Sequence, residues 1–109
     1  MVNLSEEAQV LQSQLLDKYI ASLPQKRARI ETSWQRIQAS DWSTDSLAGL
    51  KAEVHRLAGS AGSYGFDELG SLASNLEILL QSSTSSAQQR GVITLQFNLL
   101  VQALDEASN

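Results

Sequence analysis

Hydrophobic residues recur every three or four positions along most of the chain, as they do on one face of an α-helix. Stretches rich in serine, glycine or proline divide this pattern into five segments. The predicted helices run from about Ser5 to Ser22, from Pro24 to the break at Ser40–Ser43, from Ser43 or Thr44 to the turn at Ser63–Gly65, from about Phe66 to Leu80, and from about Ala87 to Ala107. The pattern therefore predicts an all-α fold.

Each predicted helix carries one apolar stripe. The stripe residues are Leu4, Ala8, Leu11, Leu15 and Tyr19 in the first helix, Ile30, Trp34 and Ile37 in the second, Leu47, Leu50, Val54, Leu57 and Ala61 in the third, Leu69, Leu72, Ala73, Leu76 and Leu80 in the fourth, and Ile93, Phe97, Leu100 and Leu104 in the last. Short helices with short connections favour an antiparallel bundle. We therefore predict one domain over residues 1–109, an antiparallel four-helix bundle with an additional N-terminal helix.

Composition excludes several classes of function. The absence of cysteine excludes disulfides, zinc–thiolate sites and thiol catalysis. The formal net charge is −4 and the basic residues are scattered, which argues against binding to nucleic acid. The sequence has no apolar run long enough for a membrane span and no signal-peptide pattern at its start. We expect a cytoplasmic monomer that binds neither nucleic acid nor a membrane.

The sequence also offers little support for metal, nucleotide or cofactor chemistry. The chain has no phosphate-binding loop of the G-x-x-x-x-G-K type and a single histidine. A metal site would need carboxylates alone, and these are dispersed, without the Glu-x-x-His pairs of a carboxylate metal bundle. We therefore expect no metal, no cofactor and no kinase activity, and any phosphoryl donor would have to be another protein.

The single histidine, His55, lies in the third predicted helix. At about 100° per residue it lies about 120° from the core stripe of that helix, on a flank that solvent can reach. A lone histidine in a helix is usually a surface or core residue without a function, but the neighbours of His55 favour a functional role. Its neighbours within about 60° on the helical wheel are Ala48, Lys51, Ala52, Ala58, Gly59 and Gly62.

Two of these neighbours, Gly59 and Gly62, are unusual inside a helix. A glycine there costs about 1 kcal/mol of stability relative to alanine. One explanation is the close packing of a neighbouring helix. The other is clearance, because small side chains leave the imidazole accessible to the active site of a second protein. The sequence leaves both explanations open.

The run from His55 to Phe66, HRLAGSAGSYGF, followed by Leu69, resembles the signature of histidine phosphotransfer (HPt) domains. That signature has an apolar residue two positions after the histidine, glycine at four, small residues, and then glycine and an apolar residue at the turn. The matching segment covers about Leu47 to Leu80, and the breaks at Leu23-Pro24 and Asp41-Trp42 also fit the family's helical layout.

The resemblance implies a function. HPt domains accept a phosphoryl group from the aspartate of one receiver domain and pass it to the aspartate of another, without an ATP site or kinase activity. By this resemblance His55 is the phosphoacceptor, and the partners are receiver domains of response regulators or hybrid sensor kinases. Ala48, Ala52, Ala58, Gly59 and Gly62 would form the docking surface, and magnesium would be held by the receiver.

Three residues near His55 bear on how the phosphoryl group would be stabilised. Many family members carry a lysine three residues after the histidine, where this chain has Ala58. Lys51, one turn before His55, is a candidate for stabilising the phosphoryl group, or else an ordinary solvated lysine. Arg56 is expected to be a surface residue without a role.

Glu77 lies 22 residues after His55 on the fourth predicted helix, and a turn at Gly65 that folds this helix back along the third would bring Glu77 to roughly the height of His55. Some family members place a glutamate or glutamine at this offset. The Glu77 carboxylate could accept a hydrogen bond from Nδ1–H, which would fix the tautomer and leave Nε2 free to attack. The alternative is a solvated glutamate near the end of a helix.

A second interpretation of the whole chain is an HPt-like module that docks onto receivers without accepting phosphate. The presence of His55 within its stripe of small residues favours the carrier instead.

Overall fold

Four helices make up most of the chain in the computed structural model, which describes residues 4–82 and 84–109. They are α1 (Leu4–Ala39), α2 (Thr44–Ser63), α3 (Asp67–Gln81) and α4 (Ala87–Ala107). No strand occurs within these described ranges. The predicted all-α fold is therefore confirmed.

The predicted break at Leu23-Pro24 is wrong, because α1 continues through Pro24. Proline lacks an N–H and costs about 3 kcal/mol inside a helix. Leu23 and Ile30, which flank it, are completely or almost completely buried. Burying a leucine or isoleucine side chain contributes about 1.5–3 kcal/mol, so packing on both sides offsets the cost of the proline. The predicted additional N-terminal helix is therefore the first half of α1.

This first half of α1 reaches beyond the rest of the molecule. At 1.5 Å per residue, the 36 residues of α1 span about 54 Å, whereas the 20 residues of α2 span about 30 Å. We refer to the exposed residues Ser5–Leu15 as the α1 arm. Of the stripe predicted for this segment, Tyr19 is buried, but Ala8, Leu11 and Leu15 are exposed. The side chain of Leu4 lies outside the part that the structure describes.

Helix α2 lies between α1 and α3, and α4 packs against α3 and α1. Over the described residues, α2 and α4 share no close contact, and neither do α1 and α3, so each of these pairs is diagonal across the bundle. The core between them contains most of the predicted stripe residues, namely Ile30, Trp34, Ile37, Leu50, Val54, Leu57, Ala61, Leu69, Ala73, Leu76, Leu80, Ile93, Phe97, Leu100 and Leu104. Leu47 and Leu72 are only partly buried at its edge.

Tyr19 marks the point where α1 joins the bundle. Its hydroxyl lies 2.7 Å from the Ser60 hydroxyl, and its ring stacks on Tyr64 with 4.3 Å between centroids. Burial raises the pKa of the Tyr19 phenol above its ordinary value, and the hydrogen bond with Ser60 only partly opposes this effect. The phenol therefore stays neutral at physiological pH and ties α1 to the last turns of α2.

The connection between α1 and α2 is held by side chains. Asp41 and Trp42 adopt positive φ angles of 53° and 62°, which are uncommon for residues other than glycine. Arg90 of α4 lies 3.3 Å from the Asp41 carboxylate, and its guanidinium lies 5.1 Å from the centre of the Trp42 ring. The Ser43 side chain then caps α2 by accepting the N–H of Ser46. The break predicted at Ser40–Ser43 is therefore confirmed.

Candidate functional site

His55 lies in the middle of α2 on the face that points away from the core. Its side chain is 74% exposed, whereas Val54 and Leu57, on either side of it in sequence, are buried. The core thus fixes the orientation of α2 about its axis and directs the imidazole toward solvent. A second protein can reach this ring without any rearrangement of the bundle.

One nitrogen of this imidazole is held by α3. Nδ1 of His55 lies 2.7 Å from Oε2 of Glu77, whose side chain is only 20% exposed. An ionised carboxylate can only accept hydrogen bonds, so Nδ1 carries the proton and donates it. The other ring nitrogen, Nε2, then has a free lone pair. The contact expected from the 22-residue spacing is present in the structure.

The position of Glu77 depends on how closely α2 and α3 pack. The turn between them uses Gly65 at a φ of 83°, a positive value that glycine adopts readily. Further along α3, a Cβ atom on Gly70 would lie 3.4 Å from the Ala58 carbonyl oxygen and 3.5 Å from the Gly62 nitrogen. The two backbones therefore approach closely here, about two turns of α3 before Glu77. Sequence analysis did not single out Gly70.

Gly59 and Gly62, unlike Gly70, are not needed for the close packing of two helices. A Cβ atom on either residue would meet no atom within 4 Å, and both residues are exposed. Close packing of a neighbouring helix, which the sequence left open as an explanation, is therefore excluded for these two glycines. What remains of the two explanations is clearance around the imidazole.

The small residues predicted to surround His55 divide into two groups. Ala48, Ala52, Gly59 and Gly62 are exposed on the same side of α2 as the imidazole, and we call this group the small-residue face. Ala58 differs, because it is half-buried and packs against the core. Ala58 lies on the side of α2 that faces α3, and its backbone carbonyl oxygen faces Gly70. Ala58 therefore lies at the edge of the predicted docking surface rather than within it.

An open depression surrounds the imidazole. It is lined by Ala48, Lys51, Ala52, His55, Arg56, Glu77 and Gln81. Lys51 is present as expected, whereas Arg56 was expected to have no role and Gln81 was not among the predicted site residues. Arg56 borders the depression, although its Nη2 lies 2.7 Å from Oε1 of Glu53. Gln81 follows Glu77 by four residues and therefore shares its side of α3, a spacing that could have identified it.

The described residues offer neither a metal site nor a helix that could span a membrane. Residues 4–82 and 84–109 contain no group of three or more histidine, cysteine, aspartate or glutamate side chains that could hold a metal ion. None of the helices in these ranges combines the length and the hydropathy needed to cross a membrane. The exposed imidazole with its glutamate partner is therefore the most distinctive chemical feature of the described residues.

A comparison with protein-family models assigns the chain to a family. The model of the Hpt domain matches residues 14–108, which include the whole bundle, His55 and Glu77. No curated protein and no solved structure gives a significant match. Since the family model covers far more than half of the sequence, the chain belongs to the Hpt domain family.

Proposed function

We propose that this chain is a phosphoryl carrier of a two-component phosphorelay, with Nε2 of His55 as the phosphoacceptor. Membership of the Hpt domain family implies involvement in phosphorelay signalling, and His55 is the only histidine in the sequence. The observation that carries the proposal is the exposed imidazole whose Nδ1 is held by Glu77. This arrangement supports attack by Nε2 on a phosphoryl group presented from solvent.

The proposed transfer needs little from this protein beyond positioning. The lone pair of Nε2 forms the new N–P bond as the bond between phosphorus and the receiver's aspartyl oxygen breaks, and the aspartate leaves as a carboxylate. The resulting imidazolium keeps its proton on Nδ1, where the Glu77 carboxylate offsets the positive charge. The reverse sequence delivers the phosphoryl group to the aspartate of a second receiver. We propose no metal, no cofactor and no kinase activity for this chain.

The partners are receiver domains of response regulators or hybrid sensor kinases. We propose that they dock on the small-residue face, with Ala58 at its edge. Gly59 and Gly62 support this role, because they forgo helix stability without serving any internal contact. Side chains of this size let a receiver bring its aspartate within reach of Nε2.

The chain as a whole fits this role as a single domain of the cytoplasm. We propose that residues 1–109 form one antiparallel bundle. Contacts support this arrangement, since Gly70, early in α3, lies against Ala58 and Gly62, whereas Glu77, later in α3, meets His55, earlier in α2. Between α1 and α4, Trp34 stacks on Phe97, and Arg27, earlier in α1, pairs with Asp105, later in α4.

A transfer assay separates this function from docking alone. The purified chain is incubated with a panel of receivers that carry radiolabelled aspartyl phosphate. We expect the label to move to this chain as an acid-labile, alkali-stable phosphohistidine. A chain that binds a receiver yet never takes up label would instead be an Hpt-like docking module, and the proposed carrier function would be wrong.

Glu77 is proposed as a positioning residue, since it acts through the imidazole. Glu77→Ala should slow phosphorylation of His55 by about tenfold, as expected when an orienting hydrogen bond is lost. Glu77→Gln should recover most of the rate, because its amide oxygen can still accept from Nδ1–H. Long-range ¹H–¹⁵N spectra should show the Nδ1–H tautomer in the unmodified protein and in Glu77→Gln, but a mixture in Glu77→Ala. An unchanged tautomer in Glu77→Ala would show that Glu77 does not orient the ring.

Lys51 is proposed to stabilise the phosphoryl group on His55. It has no ion pair with any residue that the structure describes, whereas Arg56 is already paired with Glu53. Lys51→Ala should therefore shift the phosphotransfer equilibrium toward the receiver by about threefold to fivefold, the value of one exposed charge pair. Arg56→Ala is the matched control and should shift it less. Equal effects of the two substitutions, or no effect of Lys51→Ala, would leave Lys51 as an ordinary solvated lysine.

A further inference from the structure

The α1 arm exposes an apolar stripe, whose last residue, Leu15, shares an open depression with Gly62 and Tyr64 at the end of α2. Leu11 is 57% exposed and Leu15 is 43% exposed, and Ala8 is exposed beside them. The arm lies beyond Tyr19, the residue through which α1 joins the bundle. A short helix without packing is only marginally stable in water, and exposed apolar stripes commonly mark interaction surfaces.

Charged residues flank this stripe in a particular order. On a helix, Leu11, Leu15 and Ala8 fall within an arc of about 100° that also contains Glu7 and Lys18. Glu7 precedes the two leucines and Lys18 follows them, and both charged residues are exposed. The stripe therefore has an acidic residue at one end and a basic residue at the other.

This order is complementary to itself when two helices run in opposite directions. With a two-fold axis near residue 13, Leu11 of one copy lies opposite Leu15 of the other, and Glu7 lies opposite Lys18. Both contacts occur twice, as an isologous interface requires. A parallel pair would instead place Glu7 opposite Glu7 and Lys18 opposite Lys18, which repel each other.

We propose that two copies of this chain associate through their α1 arms as an antiparallel helix pair. This inference goes beyond the proposed function and does not depend on it, and it replaces the monomer expected from the sequence. Each arm then lies along the partner's α1 from the arm to just past Lys18, an overlap of about 18 residues, or about 27 Å, which buries less than the roughly 800 Å² per partner of a stable interface. The dimer is therefore weak, with a Kd on the order of 100 µM.

Sedimentation equilibrium of the full chain, from about 5 µM to about 1 mM, tests the association. We expect a monomer–dimer equilibrium, and Leu11→Gln should raise its Kd by about tenfold or more, because each dimer loses two leucine contacts. The matched control is Val10→Gln. Val10 is 56% exposed, almost the same as Leu11, but it lies about 100° around the helix and should leave the Kd nearly unchanged. A chain that stays monomeric at the highest concentration, or equal effects of both substitutions, would overturn the proposal.

Charge reversal tests the antiparallel orientation. Glu7→Lys and Lys18→Glu should each raise the Kd by about fivefold at low salt, since each creates two like-charge contacts per dimer. The double variant should restore the original Kd. Asp17→Lys changes the net charge as Glu7→Lys does, but Asp17 lies about 130° around α1 from the middle of this arc and should leave the Kd nearly unchanged. Single reversals without effect, or a double variant that stays weak, would refute the pairing.

Discussion

Replacing His55 with glutamine is expected to abolish phosphoryl transfer to this chain while leaving its fold intact. His55 is the only histidine in the sequence, so no other imidazole can take its place. Its side chain is mostly exposed and its hydrogen bond in the structure is to Glu77, so the change in stability should stay within about 1 kcal/mol. A labelled-receiver assay measures the transfer, and thermal unfolding followed by circular dichroism measures the fold.

Receiver binding provides the control for this substitution. The small-residue face is unchanged in His55→Gln, so calorimetric titration with an unphosphorylated receiver should give an affinity close to that of the unmodified chain. Loss of transfer with retained binding would locate the defect in the chemistry. Acid-labile label on the glutamine variant would mean that His55 is not the acceptor.

Enlarging Gly59 to leucine is expected to slow transfer from a receiver by about a hundredfold, the cost of a small misplacement of the reacting groups. The side chain would stand on the small-residue face and hold the receiver away from Nε2. Stability should not fall, because a Cβ atom at this position meets open space and leucine favours the helix by about 0.8 kcal/mol over glycine.

Gly91 offers a matched control on α4. It is also an exposed glycine inside a helix, and a Cβ atom there also meets nothing within 4 Å. Because α4 lies diagonally across the bundle from α2, Gly91→Leu should give the same gain in stability with normal transfer. If both variants transfer equally fast, or if Gly59→Leu unfolds the chain, clearance is not the reason for Gly59.

Sequence periodicity predicted the core of α2, α3 and α4 because it reports which face of a helix is apolar. It does not report what covers that face. The stripe through Leu11 and Leu15 therefore looked like core, although Leu11 is exposed and Leu15 borders only an open depression beside the end of α2. The helix across Pro24 was missed for a related reason, since the local cost of proline is visible in the sequence but the burial of Leu23 that offsets it is not.

Around His55, the sequence predicted the positions that depend on helical spacing alone. The offset to Glu77 anticipated the hydrogen bond, because a tight turn folds α3 back along α2. The helical wheel placed Arg56 away from the site, although Arg56 borders the same depression as His55. It also placed Ala58 on the open surface, because it cannot show how closely α3 approaches that side of α2.

Because α2 and α3 approach closely at Gly70, two properties of the site can change independently. One is the position of Glu77 beside the imidazole, and the other is the shape of the small-residue face. The α2–α3 spacing, and with it the position of Glu77 beside the imidazole, depends on a buried residue outside the small-residue face. A methyl group at Gly70 would just reach van der Waals contact with the Ala58 oxygen, and any longer side chain would wedge the helices apart. Evolution or design can therefore tune the reactivity of the imidazole from this buried position while the recognition surface stays the same.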